Sequence, residues 1–352
     1  MNRYWNQIIE EDMKYIVTNE MDYSKLDHCT VLVTGANGML AAYIIHTLMY
    51  LNSTSKFKIK VIALVRSRER AKERFGQYLE DSNFYLCVQD VCEEIELDEK
   101  VDYIVHAASN ASPKYILSNP VDIIKTNSIG TLRILEFAKK AGTKNLLFTS
   151  TREVYGKLPP EVAEIQEDNY GSIDPQDLRS CYPESKRMAE TLLESYRYQY
   201  GVPYTIARIA HSYGPGMDIE EDGRIMSDLI SYTVNEKDII MNSDGTAIRA
   251  FCYVSDAVKA LFYILLHGES GQAYNVANEK EPYAVRDVAA KLTQLWPEKG
   301  LKVLYKKPED KDNSGYCKYE RVKLSTDKLQ NLGWIPQITL EEGLKRTVNS
   351  FK

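Results

Sequence analysis

The sequence predicts an α/β fold, a doubly wound parallel sheet followed by a smaller mixed α/β region. Three observations carry this. Short apolar runs alternate with helical periods over more than half of the chain, the signature of parallel βαβ units. A glycine-bearing segment, Thr34 to Ala41, joins the first run to the first helical period. The last third changes texture, with shorter elements and turn signals at Asp222-Gly223, Asp244-Gly245, Glu269 to Gly271 and Asp312 to Gly315.

Taken in order, residues 1–28 form a helical extension ahead of the first strand. Val31-Leu32-Val33 is that strand, and Met39 to Leu51 is the helix after the glycines. Lys58 to Val65 is a strand, and the charged stretch Ser67 to Leu79 a helix. Phe84 to Val88 and Val101 to His106 are strands. Pro120 to Ala141 is a long helix that Gly142 ends, because glycine accepts the left-handed cap. Asn145 to Thr149, Cys181 to Tyr200 and Tyr204 to Ile209 continue the alternation as strand, helix and strand. The expected division is a dinucleotide-binding domain over 29–188 with a returning segment near 234–262. Residues 189–233 and 263–352 make the substrate domain.

Composition excludes several classes. With 44 basic and 50 acidic residues the chain has a net charge of -6, which argues against a nucleic-acid partner or an anionic membrane surface. No apolar run approaches the roughly 20 residues of a membrane helix. No secretory signal is visible at the amino terminus. The six cysteines show no C-x-x-C spacing and the five histidines no H-x-x-x-H pattern. Reduced thiols in a cytoplasmic protein without a metal site are expected.

The segment Thr34-Gly35-Ala36-Asn37-Gly38-Met39-Leu40-Ala41 has a strand before it and a helix after it. Gly35 permits the tight turn, Gly38 admits a pyrophosphate close to the backbone, and Ala41 stays small enough for helix–strand packing. The helix start offers unpaired N–H groups. This is a Rossmann-type dinucleotide cradle. An acid at the end of the second strand would select NAD through the ribose 2′-hydroxyl. The chain has Val65-Arg66-Ser67-Arg68 instead, so Arg66 and Arg68 could hold the 2′-phosphate of NADP or simply begin a solvated basic helix. NAD or NADP is therefore the expected cofactor. Asp90 is either an adenine contact or a turn acid.

Tyr182 and Lys186 stand four apart, on one helical face. A nearby ammonium favours phenolate, so the tyrosine pKa is expected to fall, and such a tyrosine can take a hydroxyl proton while hydride leaves the same carbon. Thr149-Ser150-Thr151 ends a strand at the carboxyl edge of the sheet, where Thr151 can orient a substrate hydroxyl. Glu153 is a further base or acid, or else an exposed loop carboxylate. Tyr319 and Lys323 repeat the spacing without such a strand end and are read as chance.

Glycine cradle, Ser/Thr strand end and Tyr-x-x-x-Lys in this order resemble the extended short-chain dehydrogenase/reductase family. Its NAD-dependent epimerases, dehydratases and decarboxylases act on nucleotide sugars. His106 to Pro113 with Lys125 to Leu132, Ser150 to Gly156, Arg179 to Thr191 and Arg249 to Asp256 most resemble its UDP-glucuronate decarboxylase branch. The resemblance implies Thr151, Tyr182 and Lys186 as the hydride-transfer triad and Glu153 near C5 of the sugar. It implies dinucleotide contacts from Val91 and from Ala107, Ala108 and Ser109. Sugar or diphosphate contacts would come from Ser112, Arg249 and Arg321. It further implies a 4-keto intermediate and a homodimer built on the Asn119–Ala141 and Tyr182 helices.

Four positions depart from the family pattern. Arg152 stands where dehydratases carry an aspartate and decarboxylases a small residue, and as a candidate substrate contact it could read a negative substrate group or simply face solvent. His211 replaces an asparagine near the nucleotide phosphates, Arg66 replaces an acid, and Arg321-Val322-Lys323 replaces arginine–proline–aspartate. Together they point to a sibling activity: decarboxylation or epimerisation through the ketone, with an NADPH-dependent reductase of a nucleotide-linked keto sugar or a 4,6-dehydratase as alternatives.

Overall fold

Seven strands form one sheet in which every pairing is parallel. Five of them are β1 (Thr30–Thr34), β2 (Lys60–Val65), β3 (Phe84–Val88), β4 (Tyr103–His106) and β5 (Asn145–Thr151). From one edge the order is Gln272–Val276, Tyr204–Ile209, β5, β4, β1, β2, β3. The computed structural model describes residues 4–18, 20–220, 222–306 and 322–352. Arg321, Tyr319, Cys317 and the Asp312–Gly315 turn lie outside the described residues.

Central strands such as Val-Leu-Val and Leu-Leu-Phe are apolar on both faces because helices cover both faces. Val31, Leu32, Val33, Leu146 and Leu147 are fully buried, each contributing roughly 1.5–3 kcal/mol of apolar burial. Two strands that the expected division gave to the substrate domain, Tyr204–Ile209 and Gln272–Val276, belong to this sheet. The returning segment supplies the helix Val254–His267, which packs across it. The remaining strands among the described residues pair two by two.

Two expected helices differ in detail. The charged helix is α-helical only over Arg68–Phe75 and tightens to a 3-10 turn at Gly76–Tyr78. The Pro120–Ala141 segment is helical throughout but passes through a π turn at Thr126–Gly130. There Thr131 Oγ1 donates to the Asn127 carbonyl at 2.6 Å, and Gly130 lies so close to Val91 that a Cβ would sit 2.8 Å from its Cγ1. Gly142 ends the segment in the left-handed conformation, as expected (φ 65°).

The amino-terminal extension holds the helix α1 (Gln7–Ile16), capped by Asn6. Its Asp12 is buried and accepts from the Tyr43 and Tyr253 hydroxyls at 2.9 Å each and from Arg346 Nη2 at 2.9 Å. Arg346 lies on the Leu340–Asn349 helix, and Asn6 Nδ2 reaches the Ser350 carbonyl at 3.3 Å. Among the described residues no helix is long and apolar enough to cross a membrane.

Candidate active site

Parallel pairing places the carboxyl ends of β5, β4 and β1 side by side, with Thr34 in register with His106. The loops leaving these ends open into one cleft of about 2230 Å³. It runs from Tyr4 and Arg74 past the glycine segment to Thr151 and Tyr182, and on to Met241, Arg249 and Val285.

At the glycine end, Thr34 is fully buried. Its Oγ1 accepts the Ala107 and Ala108 N–H groups at 3.2 Å each and bonds His106 Nδ1 at 2.8 Å. His106 Nε2 lies 3.1 Å from Thr131 Oγ1, whose own proton goes to Asn127. The network thus assigns the proton to Nε2 and leaves Nδ1 to accept from Thr34. Burial, aided by the Lys186 charge, pushes His106 down to about 3, so the ring stays neutral. Gly35 has φ 63°, and a Cβ there would lie 2.7 Å from the Ala107 oxygen and Ala108 Cα. Gly38 caps α2 (Met39–Thr54) with no side-chain acceptor, which leaves the first-turn N–H groups facing the cleft.

Asn37 Oδ1 and Ser109 Oγ are buried beside this cradle with no hydrogen-bond partner among the described residues. A dinucleotide fits: its pyrophosphate matches the helix start, and its ribose hydroxyls match these two atoms. Met39, Leu40, Val91, Ala107 and Ala108 line the same end. Arg66 lines it too, while Arg68 does not; Arg70, which sequence reasoning missed, does. Asp90 also lines the cleft, and its carboxylate accepts the Cys92 N–H at 2.9 Å as a turn acid does.

At the reacting end Thr151, Tyr182 and Lys186 come together and are buried. Lys186 Nζ donates to the Thr149 carbonyl at 2.7 Å and stands 4.5 Å from the centre of the Phe148 ring. Burial pushes its ammonium down to about 7. The expected fall in the tyrosine pKa is not found: burial, reinforced by the Glu153 carboxylate, holds the phenol well above its ordinary value. Burial outweighs the distant cations because it penalises the phenolate directly.

Glu153 lies in the tight turn Arg152–Tyr155, with its N–H on Thr151 Oγ1 at 3.2 Å. Arg179 grips its carboxylate with two prongs, Nη1 on Oε2 and Nη2 on Oε1 (2.8 Å). Sequence reasoning assigned no role to Arg179, although it stands three residues before Tyr182. A second buried pair supports the strand end: Arg208 holds Glu190 (Nη2–Oε2 2.6 Å), which accepts from Ser150 Oγ at 2.5 Å.

Of the sugar-contact candidates, Arg152, His211 and Arg249 line the cleft. Arg249 Nη1 donates to the Ile248 carbonyl at 2.8 Å. Ser112 also lines it, but its hydroxyl is engaged: it caps the short Pro113–Ser118 helix and donates to the Asp222 carbonyl at 2.5 Å, tying the two walls together.

A family model described as the NAD dependent epimerase/dehydratase family matches residues 31–277. UDP-glucuronic acid decarboxylase 6 of Arabidopsis thaliana is 35% identical over 323 residues, 92% of this chain and 88% of that protein. UDP-glucuronic acid decarboxylase 1 of Xenopus tropicalis is 33% identical, covering 94% of this chain and 73% of that one. Among solved structures, the UDP-glucose 4-epimerase of Thermotoga maritima with UDP-glucose aligns with a TM-score of 0.76 at 24% identity, over 92% of this chain and 98% of that one. The UDP-glucuronic acid 4-epimerase of Bacillus cereus, in complex with UDP-glucuronic acid and NAD, aligns at 0.75 and 20%, over 92% and 98%. These last two likenesses concern the fold.

Proposed function

The chain belongs to the NAD-dependent epimerase/dehydratase family, and from that premise we propose that it remodels a nucleotide-linked sugar, of which UDP-glucuronate is the first to test, through a transient ketone at C4. The observation that carries this reading is the buried Thr151–Tyr182–Lys186 group at the strand end, in one cleft with the glycine cradle.

In this reading Gly35, Asn37, Gly38, Met39 and Leu40 hold the pyrophosphate. Ala107, Ala108 and Ser109 flank the ribose, and Arg66, Asp90 and Val91 line the adenosine end. When bound, the dinucleotide supplies a hydride acceptor for C4 and returns the hydride later in the cycle. Thr151 orients the C4 hydroxyl, and Tyr182 Oη takes its proton. Lys186, one turn further on, supplies the positive charge that the buried phenol otherwise lacks. Arg179 fixes the Glu153 side chain beside C5 of the sugar. A ketone at C4 acidifies C5 and turns a C5 carboxylate into a β-keto acid, so decarboxylation and epimerisation share this stage. Dehydration needs an acid that Arg152 does not provide.

The test is to denature the purified protein, identify the released dinucleotide by mass spectrometry, and assay UDP-glucuronate for carbon dioxide and for its C4 epimer. Stoichiometric dinucleotide with turnover, lost in Tyr182→Phe, is the expected result. Full turnover in Tyr182→Phe would sink the reading. A second reading, a reductase that consumes NADPH, is favoured by Arg66 and Arg70 lining the adenosine end. Net loss of NADPH during turnover identifies it.

The proposal extends to a cytoplasmic homodimer. Val121, Ile124 and Met188 expose 59%, 45% and 53% of their surfaces on the two helical segments that resemblance assigns to an interface. The five described cysteines are free, which suits a reducing compartment. Light scattering at micromolar concentration tests the dimer.

A further inference from the structure

Resting on the function proposed above, we propose that Arg152 recognises a carboxylate at C5 of the sugar and holds it in place. The substrate class is then a nucleotide-linked uronate, and the product keeps all of its carbons.

The argument starts from charge. Arg152 sits between Thr151 and Glu153 in the turn after β5, partly buried and lining the cleft. Three other cations of the cleft wall are engaged. Arg179 is spent on Glu153, Arg224 on Asp222 (Nε–Oδ2 2.6 Å), and Lys186 on the Thr149 carbonyl. Arg152 has no hydrogen bond or ion pair among the described residues. A part-buried guanidinium in the turn between Thr151 and Glu153, with the Glu153 carboxylate already held by Arg179, calls for an anion from the substrate. A neutral hydroxymethyl at C5 offers none. A carboxylate there offers two oxygens to the planar fork.

The same contact bears on the outcome. Loss of carbon dioxide from the 4-keto uronate breaks the C5–C6 bond. The bonding pair moves to C5 and onto the C4 oxygen as an enolate, C6 leaves as carbon dioxide, and a proton then adds at C5. Negative charge must therefore leave the carboxylate. A guanidinium bonded to that carboxylate stabilises the ground state more than the transition state and slows the step. The ketone then survives with its carboxylate, and its reduction from the opposite face returns a uronate with C4 inverted and the same atoms.

The experiment uses the dinucleotide-loaded protein with UDP-glucuronate. It measures carbon dioxide per turnover, the C4 epimer, and the ratio of dissociation constants for UDP-glucose and UDP-glucuronate. The wild-type protein is expected to form the epimer with little carbon dioxide. Arg152→Ser and the bulkier Arg152→Gln should raise carbon dioxide per turnover about tenfold and cut the preference for the uronate about tenfold, while Arg152→Lys keeps part of both. Melting temperatures confirm that the variants fold. One carbon dioxide per turnover from the wild type, or variants that leave both ratios within about twofold of it, overturns the assignment of Arg152 alone. A loaded wild-type protein that turns over neither sugar overturns the underlying reading as well.

Discussion

Glu153 and Arg179, 26 residues apart, meet in a two-pronged ion pair immediately beside Tyr182. Replacing Arg179 with methionine leaves a part-buried carboxylate without its partner, and Glu153 then loses its fixed position. The rate at saturating sugar should fall about 10- to 100-fold with dinucleotide content unchanged, and Arg179→Lys should recover part of it. Steady-state kinetics with dinucleotide quantification checks this. An unchanged rate in Arg179→Met would remove Glu153 from the mechanism.

Lys186 carries a pH signature. Its buried ammonium titrates at about 7 against an ordinary 10.5. Across that window the unfolded chain holds a proton at this site that the folded chain has released. The site's contribution to stability therefore rises as pH increases from about 7, by at most roughly 1.4 kcal/mol per pH unit, and is flat below it. Urea unfolding of wild type and Lys186→Met at about pH 7 and about pH 9 should show the difference moving in favour of the wild type. A constant difference would mean that the amine is not depressed.

The cradle gives a sharper steric test. Gly35→Ala requires φ 63° and puts a methyl 2.7 Å from the Ala107 oxygen. The purified variant is expected to lose its dinucleotide. A chain that keeps stoichiometric dinucleotide would place the pyrophosphate elsewhere.

Asp12 is a stability residue rather than a chemical one. Asp12→Ala leaves two buried tyrosine hydroxyls without their acceptor and Arg346 with only Glu11 and the Ile8 carbonyl, and should cost about 2–3 kcal/mol. Thermal unfolding measures this, and turnover at low temperature should persist.

Several of these features were legible in the chain. The Tyr182–Lys186 spacing is local and survives any tertiary context, as does the strand–glycine–helix order around Gly35. Other features depend on proximity that no spacing encodes. The grip of Arg179 on Glu153 arises because two short 3-10 turns, Arg152–Tyr155 and Leu178–Ser180, face each other. The direction of the Tyr182 shift turned on burial, which a motif does not report. The π turn at Thr126–Gly130 is invisible to periodicity because it adds only a fraction of a residue per turn. Residues 204–209 and 272–276 fall in the expected substrate domain, whose bounds follow a change of texture, yet both pair within the sheet, whose order is set by packing.

The bond between Asn6 and Ser350, and the Asp12–Arg346 pair beside it, span almost the whole chain. Both carry a timing constraint. As synthesis proceeds from the amino end, the carboxylate of Asp12 and the hydroxyls of Tyr43 and Tyr253 exist well before Arg346 is made. The core around α1 closes only after the Leu340–Asn349 helix has left the ribosome. Nascent chains stalled before residue 346 should therefore hold their amino-terminal helix undocked and open to proteases, however well the sheet behind it has formed.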